Sequence, residues 1–418
     1  MRLSPIEDSV MFESVEELIR AHEGIEREVY LDLENSSAVP MEIVEAMTPY
    51  FSERAYGNPT LTHKPGWMAY ETIQKASQQV ARYIGAISGE EINFAPGETE
   101  SNNLALIGTA LANKKRGNKV VISEIEPLSI DFSSKILEKY GFKVEKVPID
   151  EEGFVNLEKL SSIVDRETIL VSMMLVNHEI GTIEPIKEAS EIAKGKNPEV
   201  LFHTDASDAY GKIPINVKEL GVDLMTLSSY KILGPRGVGA LYVREGVKVE
   251  RLLEGQLGTQ RLWPGIENTP LVMGFLKASE LAFENLEENV SHTRRLRDRL
   301  MSGILEGIPE ALLNGPGGDE RAPDNVNISF LHCEGESLTI ELSLSGVYVS
   351  SGSACTRRIL QPSHVLTAIG RKFEEAHGSV LMKVTRYHTD EDVAYVLKVF
   401  PGAVERLRAI SPTKGGVS

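Results

Sequence analysis

Between Ile92 and Val243 the chain repeats one pattern: a short run of apolar residues, then a longer stretch with helical periodicity. The runs INFA, KVVIS, FKVEKVPI, TILVSMMLV, EVLFHTDA, LMTLSSYK and GALYV read as strands, and most are separated by amphipathic helical segments. Near-continuous apolar strands alternating with helices predict an α/β fold. Its mainly parallel sheet is covered by helices on both faces, with ligands bound beyond the carboxyl ends of the strands. Past residue 285 the pattern changes to a charged helix (LEENVSHTRRLRDRLMSGIL), the turn-forming NGPGGDERAPDN, and an alternation of strands (NVNISFL, YVSSG) and helices. This reads as a smaller α+β domain. The expected division is a large domain over 41–285 and a small one made of 1–40 and 286–418, with a helix in VEELIRAHEGIEREV leading in.

A length of 418 residues with 41% hydrophobic and 25% charged residues suits an ordinary globular protein with a large core. The net charge of −17 argues against nucleic acid or an anionic membrane as partner, because both are bound chiefly through Lys and Arg. No apolar stretch is long enough for a signal peptide core or a membrane span, so a cytoplasmic location is expected. Cys333 and Cys355 are the only cysteines, too few for a disulfide framework or a thiolate metal site. Nine histidines without HExxH spacing argue against any other metal centre.

Three stretches carry candidate chemistry. In HTDASDAYGKIPINVKELGVDLMTLSSYKILGPRGVG, Asp205 ends one buried run, and Lys231 ends the next before a Gly/Pro-rich turn, with Ser228 nearby. A pyridoxal phosphate site needs this set: a carboxylate to keep the pyridine nitrogen protonated and an amine to form the Schiff base. Taken alone, a lysine at a strand end is more often a solvated surface residue. In FAPGETESNNLA a Gly-containing loop enters a helix, whose free N–H groups and the Thr99 hydroxyl suit a phosphate, although a plain helix cap would look the same. In VSSGSACT, Cys355 follows small residues that cannot bury a thiol well, whereas Cys333 beside NISFL reads as a core filler.

Taken in this order the stretches resemble the cysteine desulfurases of the class-V aminotransferase superfamily, from Tyr30 to about Pro412. The likeness rests on YLDL near 30, GNP at 57–59, GW at 66–67, ETESNNLA at 98–105 and ETILVSMMLVNHEIG at 167–181. It continues in GPRGVGALYVR at 234–244, EGESL at 334–338, SSGSACT at 350–356 and PSHVLTAIG at 362–370. The resemblance implies a fold-type-I transferase with a seven-stranded sheet, acting as a homodimer on a small amino acid. It further implies pyridoxal 5'-phosphate on Lys231, sulfur taken from L-cysteine by the Cys355 thiolate to leave alanine and a persulfide, and a sulfur-acceptor protein serving iron–sulfur cluster assembly or tRNA thiolation.

Several positions depart from the family pattern. Pro127 stands where the ring-stacking His is found, and His178, beside Asn177, stands for an Asn that contacts substrate or cofactor. Asp208 stands for the Gln at the phenolic oxygen, Tyr230 for the His before the Schiff-base lysine, and Ile266 for a Thr that reaches the partner's phosphate. Glu98 precedes Thr99 in the phosphate loop, and Leu381 occupies the place of the Arg that grips the substrate carboxylate. Lys383, two residues on and hence on the same face of a strand, is the expected replacement for that Arg. Two other readings stay open on these departures. One is an enzyme of the same fold with a changed substrate, of selenocysteine lyase, elimination or aminotransferase type. The other is a non-catalytic scaffold or persulfide carrier.

Overall fold

The computed structural model describes residues 27–256, 258–351 and 362–410, with Ile19 and Ile25. The helix expected in the lead-in and the Cys355 segment lie outside the described residues. The large sheet has seven strands in the order β2-β8-β7-β6-β5-β3-β4. They are β2 (Ile92–Ala95), β3 (Lys119–Ser123), β4 (Lys143–Val147), β5 (Thr168–Ser172), β6 (Leu201–Asp205), β7 (Leu224–Ser228) and β8 (Gly239–Val243). β3 to β7 pair in parallel, and β8 runs antiparallel to both of its neighbours.

Successive residues of these strands feed opposite cores. Val121, Val171, Phe202 and Met225 join one apolar cluster, and Val120, Ile122, Leu170, Leu201 and Leu224 join the other. Burial on both faces explains why the strands read as continuous apolar runs rather than as alternations. β4 is the exception. As the end strand it is covered only in part: of its residues KVEKV only Val147 is buried, and Lys143 and Lys146 are exposed. Two expected strands are also shorter than their apolar runs. Residues 173–176 leave β5 while Met173 and Leu175 still donate to the His203 and Asp205 carbonyls, and β7 stops at Ser228, before a 3-10 turn over Tyr230–Ile232.

A second sheet, order β12-β13-β10-β9, is antiparallel and built from β9 (Ala311–Leu313), β10 (Asn325–Phe330), β12 (Ser350–Ser351) and β13 (Ser379–Lys383). Its core, with Val326, Ile328 and Phe330 against Leu296, Leu300 and Phe400 of the helices Leu286–Gly307 and Asp390–Ile410, is a separate cluster that includes the buried Cys333. The N-terminal strand β1 (Val29–Tyr30) pairs with β11 (Val347–Tyr348), and residues 31–37 then cross to the large sheet, where Ser37 donates to the Tyr230 carbonyl. That crossing brings an N-terminal turn to the carboxyl ends of β6 and β7. No helix among the described residues is long and apolar enough to cross a membrane.

Candidate active site

Asp205 is the last residue of β6 and is buried. One of its oxygens accepts from the Ser207 backbone N–H at 2.8 Å and the other from Asn102 Nδ2 at 2.6 Å. Burial pushes the Asp205 carboxyl up, and these donated bonds pull it partly back. Asn102 belongs to a helical segment that starts at Glu98–Asn103, passes through a π-helical turn Leu104–Gly108 and ends with Thr109–Asn113. The loop before it lies close to β8: a Cβ on Gly239 would stand 3.0 Å from the Gly97 carbonyl carbon and 2.7 Å from the Leu227 carbonyl oxygen. Only a glycine lets this helix start approach the sheet so closely.

Lys231 and Lys383 converge although they come from different sheets. Lys231 Nζ lies 2.5 Å from Glu34 Oε1 and 2.9 Å from Asp208 Oδ2. Lys383 Nζ lies 2.5 Å from Glu34 Oε2 and also bonds Asp208 Oδ1, so two ammonium groups and two carboxylates close a ring of ion pairs. Lys212 adds a further contact to Asp208 at 3.3 Å and pairs with Asp324 at 2.6 Å. Both lysine side chains are only 2% exposed, Asp208 5% and Glu34 14%. Burial acts to lower the Lys231 ammonium, and the Asp208 and Glu34 carboxylates more than offset it, so the amine is held well above the ordinary lysine range. Burial likewise acts to raise Asp208, and Lys231, Lys383 and Lys212 overcome it, leaving the carboxyl well below its usual value. The charge of Asp208 is thus balanced by lysines.

Beside this ring lies a cavity of about 240 Å³, whose described walls include Glu34, Glu98, Thr99, Pro127, His178 and Tyr230, with Leu381 closing one side. Pro127 offers an apolar wall and no ring face. His178 is a neutral imidazole, burial having lowered it to about 4, and its Nδ1 has no partner. Burial, then Asp205, pushes Glu98 up to about 8, and its Oε2 is also without a partner. Burial raises the Tyr230 hydroxyl, which stays protonated. Ser228 is buried at the end of β7 with an unpartnered hydroxyl.

Two expected substrate contacts need correction. Asn177 is fully buried, with Nδ2 donating to the Ile125 carbonyl and Oδ1 accepting from the Glu179 and Ile180 N–H groups. It ties a loop and has no polar atom left for a ligand. Lys383 does share a face of β13 with Leu381, but its charge is spent on Glu34 and Asp208 rather than left free for a substrate carboxylate. Cys355, the expected nucleophile, is outside the described residues.

Residues 29–396 match the family model for class-V aminotransferases. The chain belongs to that family. Among curated relatives, cysteine desulfurase IscS 1 of Archaeoglobus fulgidus is 45% identical over 92% of this chain and 98% of its own length. The cysteine desulfurase IscS of Methanosarcina thermophila is 43% identical over 92% of this chain and 94% of its own. Of solved structures, a NifS-like protein superposes with a TM-score of 0.82 at 34% identity, covering 92% of this chain and 99% of that one. SspA in complex with cysteine gives 0.72 at 27% identity, over 87% of this chain and 100% of that one.

Class-V aminotransferases work with pyridoxal phosphate, and the residues here fit it. Asp205 is linked to the cavity wall through Asn102, whose Nδ2 donates both to Asp205 and to the wall residue Ser129. Lys231 lies behind the Glu34 side. Thr99 and Glu98 line the cavity and the buried Ser228 hydroxyl has no partner, so these groups could hold a phosphate, with Glu98, pushed up to about 8, donating rather than repelling.

Sequence reasoning missed Glu34, Asn102 as the Asp205 partner, and Lys212. Lys212 had a signal, since it follows Asp208 at the i,i+4 spacing. Asn102 lies within the quoted ETESNNLA but had nothing to link it to Asp205. Glu34 had none, because its partners stand 197 and 349 residues away.

Proposed function

We propose that the protein is a pyridoxal phosphate-dependent cysteine desulfurase, which takes the sulfur of L-cysteine onto Cys355 and releases alanine. The observation that carries this reading is the 45% identity over 92% of the chain to a curated cysteine desulfurase, in a fold that ends β6 on the buried Asp205 and sets Lys231 in the turn after the neighbouring β7.

Lys231 would hold the cofactor covalently, with Asp205 at its ring nitrogen and Thr99, Ser228, Tyr230 and protonated Glu98 at its phosphate. The cofactor supplies an electron sink for the bonds around the substrate Cα. Asp205, which accepts hydrogen bonds from the Ser207 N–H and from Asn102 Nδ2, would sustain that role at the ring nitrogen. Lys231 Nζ would take up and return the substrate Cα proton, and Asp208, 2.9 Å away, would stabilise its ammonium form. The Cys355 thiolate attacks the substrate sulfur, forming the S–S bond of a persulfide as the C–S bond breaks.

A changed substrate is the second reading, and one observation favours it: no Lys or Arg stands among the described walls of the cavity, and Leu381 occupies the expected Arg position. In either reading the protein is a cytoplasmic homodimer that passes its product to an acceptor protein. Support for the dimer comes from exposed apolar side chains on one stretch, with Phe51, Tyr56 and Trp67 each at least 60% exposed. The division into a large domain over 41–285 and a small one over the remainder is part of the proposal, supported by the separate apolar cores.

The test is product analysis with L-cysteine and L-selenocysteine. Equal molar alanine and sulfide from cysteine in the presence of a thiol reductant, lost in Lys231→Ala and in Cys355→Ala while Cys355→Ala keeps its cofactor, is the expected result. Turnover of selenocysteine alone, untouched by Cys355→Ala, would select the second reading.

A further inference from the structure

The amine that must carry the cofactor does not face the cavity built for it. Glu34 walls the cavity of about 240 Å³, whereas Lys231 is not among its described walls and lines a smaller pocket of about 50 Å³ on the far side. The Glu34 carboxylate stands between them, bonded through one oxygen to Lys231 and through the other to Lys383. Its backbone belongs to the turn that crosses from β1 to the large sheet, which is tied down by Lys383 N–H on the Leu31 carbonyl, Asn35 on Ser350, Arg236 on Ser36 and Ser37 on the Tyr230 carbonyl. Rotation of the Glu34 side chain alone would break its bonds to Lys231 and Lys383 and leave these ties in place.

We propose that Glu34 is a gate on Lys231: the protein keeps the amine behind the Glu34 carboxylate, and the cofactor can be joined to it only after Glu34 has left the two lysines. The proposal rests on the reading of Lys231 as the cofactor lysine. Joining the cofactor makes a C=N bond between Lys231 Nζ and the cofactor's aldehyde carbon and expels the aldehyde oxygen as water. The nitrogen needs a lone pair for this, so the ammonium must first give a proton to solvent.

The charged and titratable groups around Lys231 oppose that loss on balance. Asp208 follows β6, Glu34 comes from the N-terminal turn, Tyr230 precedes Lys231 on its own turn, and Glu98 stands at the helix start, all favouring the ammonium. Lys383 on β13 shares both carboxylates, Lys212 shares Asp208 alone, and His178 sits against Glu34. Removing one full negative charge in contact with Nζ lowers the amine's affinity for its proton, and each unit of that fall raises the neutral fraction at a given pH about tenfold. With Glu34 uncharged, the carboxamide also has less reason to bridge two ammonium groups across the entrance.

The experiment follows uptake of pyridoxal phosphate by the full chain freed of cofactor, across neutral to alkaline pH. The absorbance of the joined cofactor gives the rate, and borohydride reduction with peptide mapping gives the site. In the native protein attachment should be slow at neutral pH and accelerate as pH rises. Glu34→Gln should shift the profile to lower pH and raise the rate at neutral pH about tenfold or more. Glu34→Ala should do the same, and Glu34→Asp should keep the native profile, which separates a charge effect from a packing effect. Native-like profiles in both Glu34→Gln and Glu34→Ala, with normal final uptake, would overturn the gate and leave the enzyme reading standing. No attachment to Lys231 in any of these proteins at any pH would instead overturn the enzyme reading, and the gate with it.

Discussion

Four buried carboxyl groups, Glu98, Glu126, Glu179 and Glu184, are each pushed up to about 8, burial being the first cause in every case. Their folded values lie above the ordinary carboxyl value of about 4.3, so the stability they contribute is complete below that value and is lost as pH rises toward 8. Glu34 and Asp208 act in the opposite direction: each is lowered, and its contribution is present above the ordinary carboxyl range and lost as pH falls through the folded value. The melting temperature should therefore peak in mildly acidic solution and decline toward pH 8, and Glu98→Gln should make the decline shallower. Calorimetric melts at closely spaced pH values check this, and a melting temperature that rises steadily from pH 5 to 8 would contradict it. Residues with this much leverage were unevenly legible in the sequence. Asp205 and Lys231 stood out because each ends or follows an apolar run where a polar residue is unexpected. Glu34 did not, because an acid in a short loop looks solvated until the fold brings Lys231 and Lys383 to it.

At the scale of elements, the apolar runs marked the strands of the large sheet well because those strands are buried on both faces, so no alternation dilutes the signal. The boundaries were less legible. Residues 173–176 and 229–231 continue the apolar or strand-like pattern, yet the chain must leave the sheet there to deliver His178 and Lys231 to the site. β13 illustrates the same point from the other side: period-two alternation placed Leu381 and Lys383 on one face correctly, but could not say that Lys383 would meet carboxylates of the protein itself. Its buried ion pairs carry a prediction. Lys383→Ala leaves Glu34 and Asp208 sharing Lys231 in a site screened from water, and loss of one partner from a buried pair costs about 3–5 kcal/mol. Denaturant titration should show that loss, with Glu34→Gln in the same chain restoring part of it by removing the surplus charge. A Lys383→Ala protein as stable as the native one would mean that the ring of ion pairs contributes nothing to folding.

For the whole molecule, the seven-stranded sheet holds Asp205 and Ser228 at neighbouring strand ends, and Lys231 follows in the turn after β7. The second sheet adds Lys383 and Leu381, and the N-terminal crossing adds Glu34. A site assembled from three parts of the chain can change at its rim while its centre is kept, and the proposed reading has that pattern: Asp205 and Lys231, which it assigns to the ring nitrogen and the Schiff base, remain, and the substitutions fall at the positions it assigns to stacking, phosphate and carboxylate contacts. The central claim is that Lys231 is the residue that holds pyridoxal phosphate. Its most direct test is borohydride reduction of the full-length protein saturated with the cofactor, followed by mass spectrometric mapping of the phosphopyridoxyl group. The account predicts a single label on the peptide containing Lys231 and none in Lys231→Ala. A label on Lys383 or Lys212, or no label at all, would contradict it.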